Sequence, residues 1–320
     1  MKGNDRSLRS WVTGRTLRGK FLFTKKDLTE YFEGISPDYL KNSISRLVKQ
    51  GLVMSPWRNF YVAVPEEYRL KGIVPPIFYI DGLMSFVRRP YYVALLTAAS
   101  FHGASHQVPQ SFMVITEGNT LRRVEKSGTR IVFASRNKIP EGLIEQKRTK
   151  TGDVNVSSPM LTALDLVEYE SKIGGISRVS EVLAELMEVV DFSQAGQEFY
   201  LTSQTTVYQR LGYIIESVLE MKDQADTLFD GCQKAGLKFR KTPLKKGKNC
   251  NGLTTETRWK IQVNIQIELS PVSTVMPAAS AARRAGAHSP HGEYCIKFPL
   301  PLKHKTYRRG HLGWPAEFMQ

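Results

Sequence analysis

The strongest constraint on the fold lies in residues 24–64, where start and stop signals for two helices are followed at once by two short apolar runs. Thr24 stands three residues before Asp27, an N-cap with an acid at N3, and Leu28, Tyr31 and Phe32 follow at helical spacing until Gly34. Ser36-Pro37-Asp38 opens a second helix with a cap hydroxyl, a proline at N1 and an acid in the first turn. Leu40, Ile44, Leu47 and Val48 form its apolar side, and Gly51 ends it. Lys41, Asn42, Ser45, Arg46 and Lys49 form its polar side. Leu52-Val53-Met54 and Phe60–Val64 then read as the two strands of a hairpin around Ser55-Pro56-Trp57-Arg58-Asn59. Ahead of them, Arg6–Arg18 forms a basic helical lead-in with Leu8, Trp11, Val12 and Leu17 as its apolar residues.

Helix, short turn, helix and hairpin with a basic tip resembles a winged helix-turn-helix. A helix about 10–12 Å across matches the major groove of DNA. Asn42 is suited to bidentate contact with adenine, Ser45 and Arg46 to base edges or phosphates, and Lys41 and Lys49 to phosphates. Lys25, Lys26 and Arg58 are placed to hold the backbone. Winged helices also serve as protein-interaction modules, so charge enters the argument. The chain of 320 residues has a net charge of +15, unevenly spread. Residues 1–160 carry +12 and residues 161–230 carry −9, the positive sign returning beyond them. Such segregation points to a polyanion-binding surface joined to something else. An apolar content of 41% excludes wholesale disorder. Cys232, Cys250 and Cys295 have no close pair, which argues against a disulfide scaffold or a Cys-rich zinc module. No signal peptide and no membrane span is visible, giving the expectation of a cytoplasmic protein.

Beyond Pro75-Pro76, taken as a linker, the reading is a mixed domain. Pro65–Gly72 before the linker and Tyr79–Val87 after it read as short helices, and Tyr91–Phe101 as an apolar helix ending at His102-Gly103. Ser111–Thr116, Arg130–Ala134 and Leu143–Thr149 read as strands. Met160–Glu170, Val179–Val190 and Thr206–Met221 read as helices that carry most of the negative charge. Lys234–Asn249 reads as a basic surface loop, and Arg258–Leu269 alternates as a strand. Past Pro271 no periodicity survives, and 271–320 reads as a basic, poorly ordered tail. The expected architecture is therefore α+β: a winged-helix DNA-binding domain at 1–80, an α+β domain at 81–270 and the tail.

Catalytic and metal chemistry find little support. His102 and His106 are four apart, but Gly103 and Ser105 end the helix that would align them, and no third ligand is evident. Glu145-Gln146-Lys147 has the acid-x-lysine form of metal-dependent nucleases, which also require an upstream acid such as Glu117 or Glu125. A nuclease using Glu145 and Lys147 is thus the enzymatic alternative, and a winged-helix protein-interaction module the non-enzymatic one. No catalytic residue, metal or cofactor is expected under the leading reading.

Several segments resemble the AbiEi family, the antitoxins and transcriptional regulators of type IV abortive-infection toxin–antitoxin systems. They are Tyr92–Gln107 continuing through Pro109-Gln110 into Phe112–Thr116, then Thr162–Val167, Gln209–Tyr213 and Trp259–Asn264, in the expected order over roughly 20–270. The tail after Ser270 departs from the family. The resemblance implies a winged helix that binds inverted repeats in the protein's own promoter and represses the operon. It also implies a C-terminal domain that counteracts a nucleotidyltransferase-like toxin, without a stable complex being required. It implies no catalysis in the antitoxin itself.

Overall fold

The computed structural model describes residues 7–104, 109–126 and 128–269. The first helix, α1 (Leu8–Leu17), buries Leu8, Trp11 and Val12 and leads into a short strand, β1 (Leu22–Thr24). Thr24 caps α2 (Lys25–Tyr31) in a full capping box: the Asp27 amide donates to Thr24 Oγ1 (3.2 Å) and the Thr24 amide to Asp27 Oδ2 (2.6 Å). Ser36 caps α3 (Pro37–Lys49), whose first turn holds Asp38 and whose last holds Arg46 and Lys49, each sign matching the helix dipole.

Strands β2 (Val53–Trp57) and β3 (Phe60–Ala63) form the hairpin, and the small sheet has the order β1-β3-β2. The turn is narrower than the sequence suggests. β2 runs on through Pro56 to Trp57, leaving Arg58-Asn59 to close it with Asn59 at φ 64°. Pro56 is tolerated because β2 is an edge strand and needs no amide there. This is a winged helix-turn-helix arrangement. One face of the small sheet (Phe23, Val53, Ala63) packs under the three helices.

A single 3-10 turn, Glu66–Tyr68, stands where the sequence suggested a helix over Pro65–Gly72. Helix α4 (Ile80–Val87) precedes the large sheet. That sheet contains β4 (Tyr91–Val93), followed by helix α5 (Leu95–Phe101), then β5 (Phe112–Glu117), β6 (Val124–Lys126), β7 (Thr129–Arg136), β8 (Ile144–Thr149) and β9 (Gly152–Ser157). Its order is β6-β7-β5-β4-β9-β8, with β5 parallel to β7 and β4 parallel to β9. Helices α6 (Pro159–Glu168), α7 (Ile176–Leu186), α8 (Gln197–Leu201), α9 (Thr205–Tyr213) and α10 (Lys222–Lys234) follow, α9 running into a π turn over Ile214–Val218. A two-stranded parallel pair, β10 (Thr242–Pro243) and β11 (Ile261–Gln262), closes the described chain.

Two expectations are corrected. Tyr91–Phe101 is not one helix: Tyr91–Val93 is a strand at the middle of the sheet, and Leu95 at φ 56° turns the chain sharply into α5. Alternate residues of β4 face two different cores, so the strand is apolar on both sides and shows no period of two. Arg258–Leu269 is a strand only at Ile261–Gln262. Its alternation is real, but Lys260 at φ 56° interrupts the extended run and its partner β10 is two residues long. Strands β6 and β9 and helices α8 and α10 had no counterpart in the sequence reading, and Lys234 closes α10 rather than opening a loop. The tail 271–320, His106 and Cys295 lie outside the described residues.

The layers place both faces of the large sheet in apolar surroundings. Helices α6, α7 and α9 cover one face over Tyr92, Met113 and Ile115. On the other, Met54, Phe60 and Val62 of the small sheet and Leu83 of α4 pack against Val93, Val114, Phe133 and Val156, with the Trp57 and Phe133 rings 6.5 Å apart. The back of the hairpin is thus seated on the second sheet, and α1, α2 and α3 lie on the other face of the small sheet.

Candidate nucleic-acid interface

On α3 the buried side chains Leu40, Ile44 and Leu47 fix which residues face away. Opposite them, at spacings of four, three and four, stand Asp38, Asn42, Ser45 and Lys49. Arg46 flanks this stripe on one side and Lys41 on the other, and all of these side chains are exposed. Lys25, Lys26 and Arg58 are exposed as well. The Lys25 amide donates to the Asn59 carbonyl (2.9 Å), which sets the start of α2 beside the turn that carries Arg58. Lys26 is shared with Glu30 in a solvent-exposed pair at 3.6 Å, an interaction of small energetic weight. Five of the eight sequence-selected residues therefore share one side of α3, and Lys25 and Arg58 form a second small group.

The nuclease alternative meets a geometric obstacle. Glu145 and Lys147 pair with each other at 2.6 Å on β8, the edge of the large sheet. Glu117 accepts the Ile139 amide (3.1 Å), and Glu125 pairs with Arg123 (3.5 Å). The sheet order separates Glu145 from Glu117 by three strand spacings, roughly 14 Å. Glu125 lies on the opposite edge strand. Among the described residues no group of three or more His, Cys, Asp or Glu side chains converges as a metal site. His102 is structural: its Nε2 donates to the Ser157 carbonyl (2.7 Å), and burial lowers its pKa, favouring the neutral ring. Among the described residues no helix is long and apolar enough to cross a membrane, and Cys232 and Cys250 are free.

The sequence reading missed a buried polar cluster under α6. Asp165, fully buried, accepts the Tyr92 hydroxyl (2.9 Å) and Arg136 Nη2 (2.8 Å). Arg136 Nη2 also reaches Glu168 (2.9 Å), which accepts Ser203 Oγ (2.7 Å). Burial opposes the Arg136 charge, but Asp165, Tyr92 and Glu168 more than offset it and raise its pKa. The Asp165 carboxyl is pushed up from 3.8 to about 7, chiefly by burial, with Arg136 drawing it back down. An acid raised in the folded state keeps a proton that the unfolded chain has lost. Its contribution to stability therefore falls as pH rises from about 4 to about 7 and is level above. Asp165→Asn is expected to gain on the wild type in urea midpoint across that window. A constant difference from pH 4 to pH 8 would show that Asp165 does not titrate there.

These contacts join segments far apart in the chain. Tyr92 meets Asp165, Gln209 Nε2 donates to the Trp259 carbonyl (2.6 Å), and Gly212 lies directly against the Trp259 ring. A side chain at position 212 would collide with that ring, which accounts for the glycine. Residues 92–217 match the family described as the AbiEi antitoxin C-terminal domain. This stretch is thus similar to an AbiEi antitoxin C-terminal domain. The AbiEi match begins in β4 and ends in the π turn after α9, so it spans the polar cluster, while Trp259 and the winged helix lie outside it. As a family of antitoxins, AbiEi implies a cognate toxin and suggests a protein that is not an enzyme. Over a longer span the chain is similar in fold to the crystal structure of the RV2827C protein from Mycobacterium tuberculosis. The TM-score is 0.58 at 14% identity, covering 81% of this chain and 93% of that one. No curated protein matches the chain in sequence.

Proposed function

We propose that this AbiEi protein is a DNA-binding autorepressor and antitoxin of a type IV toxin–antitoxin system, acting in the cytoplasm. Residues 1–80 are the DNA-binding unit, directed at inverted repeats in double-stranded DNA of its own promoter. Residues 81–270 are the antitoxin unit, which counteracts a nucleotidyltransferase-like toxin without a stable complex being required. The observation that carries the DNA half is α3. It follows α2 across a short turn, ahead of the hairpin, and its solvent side offers Asn42, Ser45, Arg46 and Lys49 together. Amide, hydroxyl and cationic groups on one helix side are what base edges and phosphates accept. The observation that carries the antitoxin half is the family match over 92–217.

The test is a titration of the purified chain against its own upstream DNA and a scrambled duplex at about 50 and 200 mM salt. Preference for the upstream duplex is expected, with affinity falling roughly two to three orders of magnitude between the two salts, as for about five phosphate contacts. Equal binding to both duplexes would remove the repressor, and absence of binding would remove DNA as a partner. Co-expression with the neighbouring toxin gene tests the other half. Growth should be rescued by the whole chain, and failure of rescue at matched expression would count against the antitoxin role.

A further inference from the structure

The polar side of α3 is not uniform along its length. Its N-terminal half presents Asp38, Tyr39 and Asn42, its C-terminal half Ser45, Arg46 and Lys49. Asp38 is repelled by phosphate, so that end of the helix is disfavoured against the DNA backbone, whereas Arg46 and Lys49 are drawn to it. Tyr39 stands on the flank of the outward stripe, one column with Arg46 seven residues on. The residue is 59% exposed, and among the described residues its side chain has no hydrogen-bond or ring partner. The comparably exposed Tyr31, at 62%, is accounted for by its packing on Trp11 (5.5 Å) and Phe32 (4.9 Å). Tyr39 alone of the two offers its ring to solvent from the face proposed to meet DNA.

We infer that Tyr39 is a specificity-determining residue whose ring covers the C5 methyl of a thymine in the major groove, with the N-terminal end of α3 entering the groove and its C-terminal end holding phosphates. This rests on the DNA-binding reading and deepens it. The thymine methyl is the one apolar group that the bases display in that groove, which makes it the natural partner of an exposed ring on an otherwise polar helix. N-terminal residues of a recognition helix are also those that reach base edges. Asn42, one turn on, reads the neighbouring base, and Lys49 reads none.

The experiment selects duplexes from a randomised library with the full chain and with Tyr39→Ala, Tyr39→Phe and Lys49→Ala, then replaces each thymine of the selected duplex by uracil. For the wild type and Tyr39→Phe, removing one methyl is expected to weaken binding about fourfold, the worth of one buried methyl. Tyr39→Ala should bind the thymine and uracil duplexes alike and lose the thymine preference at that position, with its affinity for scrambled duplex unchanged. Lys49→Ala should weaken all duplexes and keep the methyl sensitivity. Tyr39→Ala that keeps the wild-type sensitivity, or that weakens every duplex equally, overturns the inference and leaves DNA binding standing. A wild type that selects no sequence overturns both. Tyr39 is exposed, so an unchanged urea midpoint for Tyr39→Ala is the expected control.

Discussion

Arg136→Met is expected to lower folding stability by about 3–5 kcal/mol at pH 8, a large part of the roughly 5–15 kcal/mol that holds a typical domain together. Among the described residues the guanidinium is the only cation bonded to Asp165, which is fully buried, and it also bonds Glu168. Removing it leaves the buried Asp165 carboxylate without a counter-charge and close to the solvent-accessible Glu168. The Tyr92 hydroxyl can satisfy one oxygen of Asp165 but cannot offset its charge. At pH 5 the loss should be smaller, since the Asp165 carboxyl, pushed up to about 7, is already protonated in the folded chain. Urea midpoints of wild type and variant at the two pH values measure both parts. The double variant Arg136→Met/Asp165→Asn should recover much of the loss, because no buried charge then lacks its partner. If the double variant were as unstable as the single one, the damage would lie in the lost volume of the arginine and not in electrostatics.

The second large effect concerns DNA. Replacing Lys41, Lys49 and Arg58 together by alanine should reduce affinity for every duplex by roughly 10²–10³-fold near 100 mM salt. The slope of log affinity against log salt should fall by about 2.7, close to 0.9 for each phosphate contact released. The three side chains are exposed, so the urea midpoint should hold. Unchanged binding would mean that DNA does not dock along α3 and the Arg58 turn. Asn42→Ala is expected to behave differently. It relaxes base preference at one position by about 1–3 kcal/mol and leaves the salt slope intact. The two results together separate holding the backbone from reading the bases.

The layered packing gives these surfaces a common frame. The hairpin presents Tyr61 and Ala63 to the core under the helices and Phe60 and Val62 to the layer shared with the large sheet. A winged helix whose sheet is covered on both faces is seated on its neighbour through side-chain packing, not by a linker alone. The region around Pro75-Pro76, which by composition resembles a linker, contributes Val74, Ile77 and Tyr79 to that same layer.

The features legible from the residues alone were local. Caps, helix periods and glycine stops in 24–51 act over three or four residues, so Thr24, Ser36-Pro37-Asp38 and Gly51 marked α2 and α3 before any contact was known. The exposed residues of α3 were legible for the same reason, because a buried stripe defines the opposite side. The AbiEi segments were legible as a set of residues, but their purpose was not. Tyr92 and Asp165, 73 residues apart, and Gln209 and Trp259, 50 apart, are bonded only because the sheet and its helices bring them together. The tertiary structure also decided that Tyr91–Val93 is a central strand and that most of 258–269 is not a strand at all. A strand exists by pairing with distant chain, and one buried on both faces loses the alternation that would announce it. Where charge falls along the chain is composition; which carboxylate a buried arginine must neutralise is decided by distance, and distance belongs to the fold.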